Sequence, residues 1–374
     1  MAHIKRYLFD KILRDLGRRK IVIVYGARQV GKTTLAEEVR ARYPNNVYLN
    51  GDFVDDRARV SEPSRAMVAQ FAHNDLLVID EAQRIPDIGI KLKAIFDTLP
   101  SLHILVTGSS ALEISHAVSE PLTGRSSAHV MYPIALSEMR DTSSTDLEQL
   151  LIYGAYPEVI ISTSIEDKRN AISNIGANYL FKDTLNIEYI KSPRTLELLL
   201  TALAGQVGNE VSIHELSNTL DVDSKTVLRY LDILEKLSII FPLRPHSANI
   251  RKSITKKKKY YFFDLGIRNA LLHSFAPLKE RTDVGALWEN FCVVERMKYH
   301  DTLNNYRQYR FWRSYTGDEI DLLEIDNQIM RGFECKWKPQ ALSPRIQSIF
   351  HNDLHGAGDI TVLSSDTASA IIEP

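Results

Sequence analysis

The sequence predicts an α/β protein built from several domains. Three observations support this prediction. A run of apolar residues without helical period, residues 21–25, leads directly into a helical pattern. A second apolar run, residues 76–79, ends in two carboxylates, and residues 319–337 read as a β-hairpin near the end of the chain. The 374 residues are long enough for two or more domains.

Composition places the chain among globular proteins of ordinary type, with 44% hydrophobic and 25% charged residues. The net charge of −1 provides no overall positive field, so a nucleic-acid partner would need a local basic patch. The two cysteines, Cys292 and Cys335, form no C-x-x-C pair, which argues against a disulfide framework or a zinc site. The N-terminus does not read as a signal peptide and no stretch is long enough to span a membrane, so we expect a cytoplasmic protein.

The first functional motif is a phosphate-binding loop in the stretch IVIVYGARQVGKTT, where Gly26 is followed by four residues and then Gly31-Lys32-Thr33. Glycines let backbone N–H groups face an anion, and the following helix presents its positive end. Lys32 adds a cation, and the Thr33 hydroxyl is a ligand for Mg²⁺. We therefore predict that ATP and Mg²⁺ bind here; the nucleotide-binding residues are Gly26, Ala27, Arg28, Gln29, Val30, Gly31, Lys32, Thr33 and Thr34. The alternative is an ordinary strand–turn–helix.

The second motif is the strand LLVI followed by Asp80 and Glu81. We expect Asp80 to hold Mg²⁺ through water and Glu81 to act as general base on the attacking water. Taken alone, the pattern equally describes a buried strand that ends in solvated acids.

Two further residues complete the predicted catalytic set. Ser109 follows the apolar strand 103–108 and would orient the water, with Thr107 and Ser110 as rivals; the alternative role is a helix N-cap. Arg125 precedes the last predicted core strand, from which it would reach the γ-phosphate of a neighbouring subunit. The alternative for Arg125 is a surface salt bridge.

The strings GARQVGKTT, LLVIDEAQ, LVTGSSAL, LTGR, YPIALSEM and YGAYPEV resemble a prokaryotic group within the AAA+ P-loop ATPases. In that group the ATPase precedes a C-terminal domain of unknown function 4143. The resemblance implies a parallel sheet with strand order 5-1-4-3-2, in which the strand 103–108 lies between the loop strand and the acidic strand.

We predict four domains: an ATPase core (1–140), a helical lid or connector (141–194), a winged helix-turn-helix (195–264) and a C-terminal α/β domain (265–374). The third region reads as three helices followed by a hairpin, and its third helix would enter a DNA groove. The predicted nucleic-acid contacts are Lys225, Arg229, Lys256, Lys257, Lys258 and Lys259. The alternatives are a packing module and a solvated lysine loop.

The C-terminal hairpin places acidic residues on one face. If Asp326 and Asn327 form a two-residue turn, Asp321 lies opposite Gly332, whose missing side chain leaves room beside the carboxylate. Glu334 is then the diagonal neighbour, and a lysine follows two residues later on the same face. Such a cluster would bind Mg²⁺ and activate water.

This arrangement resembles the PD-(D/E)XK nuclease superfamily. The resemblance implies that Asp321 and Glu334 are metal ligands, that Glu289 on the preceding helix supports them, and that Lys336 stabilises the attacked phosphate or orients water. The alternative is a row of charged residues on the solvated face of a hairpin.

Together these patterns predict an ATPase that couples nucleotide state to DNA binding or processing by its C-terminal half. The alternative is a regulatory ATPase switch whose C-terminal half binds a protein partner through an inactive nuclease-like scaffold. A homo-oligomer is compatible with either function.

Overall fold

The computed structural model describes residues 4–108, 122–140, 146–178, 192–247 and 257–373. Ser109, Ser110 and Lys256 lie outside the described residues. The chain forms two compact units, residues 1–134 with 236–238, and residues 135–235 with 239–374.

The first unit is built on a five-stranded parallel sheet. Its strands are β1 (Ile21–Tyr25), β2 (Asn46–Asn50), β3 (Leu76–Asp80), β4 (His103–Gly108) and β5 (Ser126–Val130). Their order is β2-β3-β4-β1-β5, with every pair parallel. This is the predicted order read from the opposite edge, and β4 lies between β1 and β3 as expected.

Helices cover the sheet, which explains why its central strands are mostly apolar. They are α1 (Tyr7–Gly17), α2 (Lys32–Arg40), α3 (Val54–Arg59), α4 (Arg65–Ala69) and α5 (Ile88–Thr98), with a 3-10 turn at Ala82–Arg84. Every residue of β3 is buried, because a parallel sheet packed on both faces has no solvated side.

The second unit begins with a 3-10 turn (Leu136–Met139) and then combines helices with a seven-stranded mixed sheet. The helices are α6 (Leu147–Tyr153), α7 (Pro157–Ile161), α8 (Ile165–Asn178), α9 (Pro193–Gly205), α10 (Ile213–Thr219), α11 (Ser224–Lys236), α12 (Leu265–Leu271), α13 (Val284–Thr302) and α14 (Pro344–Asn352), with 3-10 turns at Leu278–Glu280 and Ser365–Ile372. The strands are β6 (Glu210–Val211), β7 (Ile240–Pro245), β8 (Lys258–Phe262), β9 (Gln308–Arg313), β10 (Glu319–Asp326), β11 (Ile329–Cys335) and β12 (Thr361–Leu363), in the order β12-β11-β10-β9-β7-β8-β6.

One sheet thus contains strands from both sides of the boundary predicted at residue 264. The link is a parallel pairing of β7 with β9, in which Arg244 lies opposite Arg310. The antiparallel pair β7–β8, predicted as a wing, therefore extends the sheet that carries the C-terminal hairpin.

The register of that hairpin differs from the prediction. Leu323, not Asp321, lies opposite Gly332, and Asp326 pairs with Ile329, so Asn327 and Gln328 form the turn. The pairing is shifted by two residues, so every side chain stays on its predicted face. Hydrophobic patterning cannot distinguish registers that differ by two residues, and the position of the turn selects between them. A Cβ at Gly332 would lie 3.0 Å from Phe350 and Ile360, so this glycine makes room for core packing, not for a carboxylate.

No helix in the described part of the chain combines the length and the apolar character that crossing a bilayer requires.

Candidate nucleotide site and carboxylate cluster

The loop after β1 has the backbone geometry that its glycines predict. Gly31, at φ 98°, precedes the first turn of α2, and Gly26 has φ 154°. A Cβ at Gly26 would lie 2.1 Å from the carbonyl oxygen of Met131, so only glycine fits there. Lys32 is 6% exposed, and its Nζ donates to the carbonyl oxygens of Gly26 (2.9 Å) and Ala27 (2.7 Å). The loop therefore curls around the lysine ammonium at the start of a helix.

Asp80, at the end of β3, is the centre of the site and is 2% exposed. Its Oδ2 accepts hydrogen bonds from the hydroxyls of Thr33 (2.8 Å) and Tyr48 (2.7 Å). Its Oδ1 accepts from the hydroxyl of Thr107 and from the backbone N–H of Glu81 (3.1 Å). The carboxyl ends of neighbouring parallel strands meet at one sheet edge, which is why β2, β3 and β4 each supply a group.

Glu81 follows Asp80 in a left-handed backbone conformation, at φ 49° and ψ 42°. Its carboxylate accepts a hydrogen bond from the side-chain amide of Gln83. A Cβ at Gly51 would lie 2.3 Å from the carbonyl oxygen of Glu81, so the chain after β2 passes directly beneath this turn.

Two residues of this site were not predicted from the sequence. Burial, followed by the hydrogen bond to Asp80, raises the pKa of Tyr48 above its usual value, so its hydroxyl stays a proton donor. The only sequence feature that could have indicated this role is the tyrosine hydroxyl in the otherwise apolar strand Val47-Tyr48-Leu49. Arg6, 8% exposed, donates to the carbonyl oxygens of Val30 (2.9 Å) and Tyr132 (2.7 Å), and no local pattern indicated this contact.

Arg125 lies at the amino-terminal ends of the strands, because it precedes β5 and Ser126 pairs with Ile21, the first residue of β1. The phosphate-binding loop of the same chain lies at the carboxyl ends. Its guanidinium binds both carboxylate oxygens of Asp97, at 2.9 and 3.3 Å. The structure thus shows the surface salt bridge that was the alternative, and a role toward a neighbouring subunit stays a prediction. Thr107, the alternative to Ser109 for orienting the water, donates a hydrogen bond from its hydroxyl to Asp80.

In the second unit, Asp321, Glu334 and Lys336 lie together. The Lys336 Nζ is 2.8 Å from Glu334 Oε2 and 3.7 Å from Asp321 Oδ2, and Asp321 Oδ2 also accepts the N–H of Cys335 at 2.8 Å. Burial and then the Asp321 charge raise the pKa of Glu334 to about 7. Burial would lower the pKa of Lys336, but the charges of both carboxylates outweigh it and raise that pKa.

Glu289 on α13 is held by different partners than predicted. Its Oε1 accepts from Lys259 Nζ (2.8 Å) and from the Tyr261 hydroxyl (2.6 Å). Burial and then the Asp321 charge raise the pKa of Glu289 to about 7, although Lys259 partly offsets this shift. Among the described residues no three His, Cys, Asp or Glu side chains are arranged to hold a metal ion. Lys259 and Tyr261 thus engage Glu289, and a metal site formed by Asp321, Glu334 and Glu289 stays a prediction.

Lys259, predicted to contact nucleic acid, is buried in the structure. It is 1% exposed, and its ammonium lies 2.5 Å from Glu319 as well as against Glu289. Burial would lower the pKa of Lys259, but the charges of Glu289 and Glu319 outweigh burial and raise it. A lysine so enclosed cannot contact a phosphate at the surface, whereas Lys257 is exposed and Lys258 is half-buried.

On α11, Lys225 is exposed and Arg229 is half-buried, with its guanidinium 5.5 Å from the ring centroid of Tyr230. The neighbouring Tyr230 is 1% exposed, and its hydroxyl accepts the N–H of Ser192 at 3.3 Å. The outward basic face of α11 therefore depends on Lys225 and Arg229.

Family comparisons agree with this architecture. Residues 18–140 match the AAA domain family, residues 144–278 match a domain of unknown function (DUF8612), and residues 284–371 match a domain of unknown function (DUF4143). An uncharacterized protein of Mycobacterium tuberculosis and one of Mycobacterium bovis are each 30% identical over 330 residues, which cover 87% of this chain and 72% of theirs. An uncharacterized protein of Methanocaldococcus jannaschii is 25% identical over 332 residues, covering 75% of this chain and 68% of that protein.

Solved structures with similarity include a DNA replication initiation factor, 17% identical with a TM-score of 0.31, covering 60% of this chain and 72% of that one. Another is a signal transduction ATPase with numerous domains from Pyrococcus horikoshii, 11% identical with a TM-score of 0.30, covering 81% and 48%.

The parallel sheet, the loop and the family match define the first unit as an AAA-type P-loop ATPase domain. The chain belongs to the family of the two mycobacterial proteins, and in it this AAA domain is followed by the two domains of unknown function.

Proposed function

We propose that this protein binds ATP with Mg²⁺ at the loop after β1, hydrolyses it, and uses the nucleotide state to control DNA binding by the second unit. The observation that carries the first part is the hydrogen bond of 2.8 Å between Thr33 and Asp80. It brings the two predicted Mg²⁺-binding side chains together at the end of the loop that contains Lys32.

Each residue has a distinct role in this proposal. Backbone N–H groups of the loop and the ammonium of Lys32 hold the phosphates. The Thr33 hydroxyl and the Asp80 carboxylate are hard oxygen donors of the kind that Mg²⁺ prefers, and bound Mg²⁺ would neutralise phosphate charge. Glu81 accepts a proton from the attacking water.

An ATPase assay with three variants tests the hydrolysis. We expect Lys32→Ala to lose nucleotide binding, and Glu81→Gln to retain binding but lose turnover by about 100-fold or more. Lys20→Ala is the matched control, since Lys20 precedes the other end of β1 and its Nζ contacts the carbonyl oxygen of Gly124. Hydrolysis by Lys32→Ala at the wild-type rate would refute the site.

DNA binding is supported by the position of Lys225 in the first turn of α11. A cation there is unfavourable to the helix dipole, so helix stability does not explain it. The amino-terminal residues of a third helix in this element order are those that contact DNA. Binding to duplex DNA that weakens steeply with salt favours this function, whereas absent or salt-insensitive binding favours a protein partner.

A second candidate function is metal-dependent cleavage of a phosphodiester at Asp321, Glu334 and Lys336. Glu334 is 3% exposed, and its Oε1 has no hydrogen-bond partner in the described part of the chain. An unsatisfied buried carboxylate oxygen beside Asp321 is a suitable donor for Mg²⁺ or Mn²⁺. The Lys336 side chain is 40% exposed, so its ammonium would also contact a phosphate that approaches from solvent.

Cleavage assays on DNA and RNA with Mg²⁺ or Mn²⁺ test this function. We expect activity in the wild type that is lost in Asp321→Ala and Lys336→Ala. Lys338→Ala, which alters an exposed lysine two residues further on, should retain it. No cleavage by the wild type, or unchanged cleavage by the two site variants, would exclude this function.

A further inference from the structure

The hydroxyl of Tyr48 donates to the same oxygen of Asp80 that accepts from Thr33, at 2.7 and 2.8 Å. Thr33 belongs to the phosphate loop, but Tyr48 belongs to β2, a strand outside it. Tyr48 pairs with Val78 in the neighbouring strand, and Asn50 pairs with Asp80, so the backbone register fixes the tyrosine two residues from the end of the strand. The contact to Asp80 therefore does not depend on loop conformation.

The Tyr48 ring also contacts the first helix after the loop. The Arg40 guanidinium on α2 lies 5.5 Å from the ring centroid, and Arg40 Nη1 is also paired with Glu37 at 2.9 Å. The ring thus contacts α2 while its hydroxyl contacts Asp80. Its position is set by packing that a change of the hydroxyl alone would leave intact.

We infer that Tyr48 is a positioning residue that sets the affinity of this site for Mg²⁺ by orienting the Asp80 carboxylate. The inference rests on the proposed ATP and Mg²⁺ function and deepens it. Groups that hydrogen-bond to metal-binding carboxylates fix their orientation, and their loss typically weakens metal affinity about 10–100-fold. With Tyr48 changed, Asp80 retains the hydroxyls of Thr33 and Thr107 and the N–H of Glu81, so the lower end of that range is expected.

The experiment is a Mg²⁺ titration of the binding of a fluorescent ATP analogue to the full chain, with Mn²⁺ binding measured in parallel by electron paramagnetic resonance. The test variant is Tyr48→Phe, which removes the hydroxyl and keeps the ring. The control is Tyr43→Phe. Tyr43 lies just before the same strand, and its ring contacts His103 rather than Asp80.

We expect Tyr48→Phe to raise the Mg²⁺ concentration for half-maximal binding about tenfold, with analogue affinity in EDTA unchanged. Tyr43→Phe should match the wild type. A Tyr48→Phe titration that superimposes on the wild type would overturn this inference alone. An equal loss of affinity with and without Mg²⁺ would also overturn it, because Tyr48 would then support the loop rather than the metal site. Absence of analogue binding by the wild type would overturn the proposed function together with this inference.

Discussion

The ammonium of Lys259 on β8 lies 2.8 Å from the carboxylate of Glu289 on α13, and these side chains are 2% and 15% exposed. This pair joins the strand that the sequence assigned to a DNA-binding wing to the helix beside the C-terminal carboxylates. A buried ion pair stabilises less than its distance suggests, but removing one partner leaves an uncompensated charge in the interior. Lys259 is therefore a structural residue whose loss should be felt in stability.

Replacing Lys259 should destabilise the second unit strongly. At pH 8 we expect Lys259→Met to lower the free energy of unfolding by about 3–5 kcal/mol, because Glu289 and Glu319 lose their shared cation. Lys257→Met, at an exposed position of the same lysine run, should change it by less than about 0.5 kcal/mol. Urea unfolding followed by circular dichroism measures both, and equal effects of the two substitutions would contradict the buried role of Lys259.

The pH dependence of stability should reflect Glu324, whose side chain is fully buried. Burial would raise the pKa of Glu324, but hydrogen bonds from His300 and Arg296 and the charge of Arg296 outweigh it and hold this pKa at about 2. The usual value is 4.5. Since the pKa is lowered by folding, this stabilisation is present above pH 4.5 and is lost as the pH falls toward 2. It amounts to about 3 kcal/mol.

The test compares Glu324→Gln with the wild type by thermal unfolding between pH 7 and pH 3. We expect the variant to be less stable at pH 7 and the difference to shrink below pH 4.5. Asp326→Asn is the control on the same strand, where a half-buried carboxylate accepts from Asn327 at 3.0 Å. A stability difference that stays constant across the whole pH range would be incompatible with the proposed linkage.

Arg6 should support nucleotide binding without touching nucleotide. Its guanidinium joins the loop at Val30 to the segment after β5 at Tyr132, and buried carbonyl groups that lose such a donor are left unsatisfied. We expect Arg6→Ala to weaken ATP-analogue binding about tenfold, equivalent to roughly 1.4 kcal/mol. Lys5→Ala, which removes an exposed cation paired with Asp10, should have no effect, and the same result for both variants would argue against the role of Arg6.

The salt dependence of DNA binding should report the contribution of Lys225. If its ammonium neutralises one phosphate, Lys225→Glu should reduce the slope of log affinity against log salt by about one, with weaker binding to every sequence. Lys279→Glu makes the same charge change at another exposed lysine of the second unit and should leave the slope unchanged. Identical slopes in the two variants would remove Lys225 from the interface.

Some features of this protein were determined by local sequence. The loop 26–34 and the acidic strand end were predictable, because the spacing of glycines and the run of apolar residues fix a strand–turn–helix and a buried strand whatever surrounds them. The resemblance to AAA+ ATPases supplied the strand order that the structure confirms, although spacing along the chain alone did not.

Other features depended on neighbours distant in sequence. Tyr48 and Arg6 belong to the nucleotide site because a sheet register and a helix position bring them there, across 32 residues to Asp80 and 126 residues to Tyr132. The hairpin register and the burial of Lys259 likewise followed from turn geometry and from the pairing of β7 with β9. The sequence by itself determined which groups could bind phosphate and where strands and helices form, since these depend on spacing within a few residues. Only the tertiary structure decided which side chains surround Asp80 and which lysine is enclosed by carboxylates, because burial and charge pairing are set by elements that meet in space.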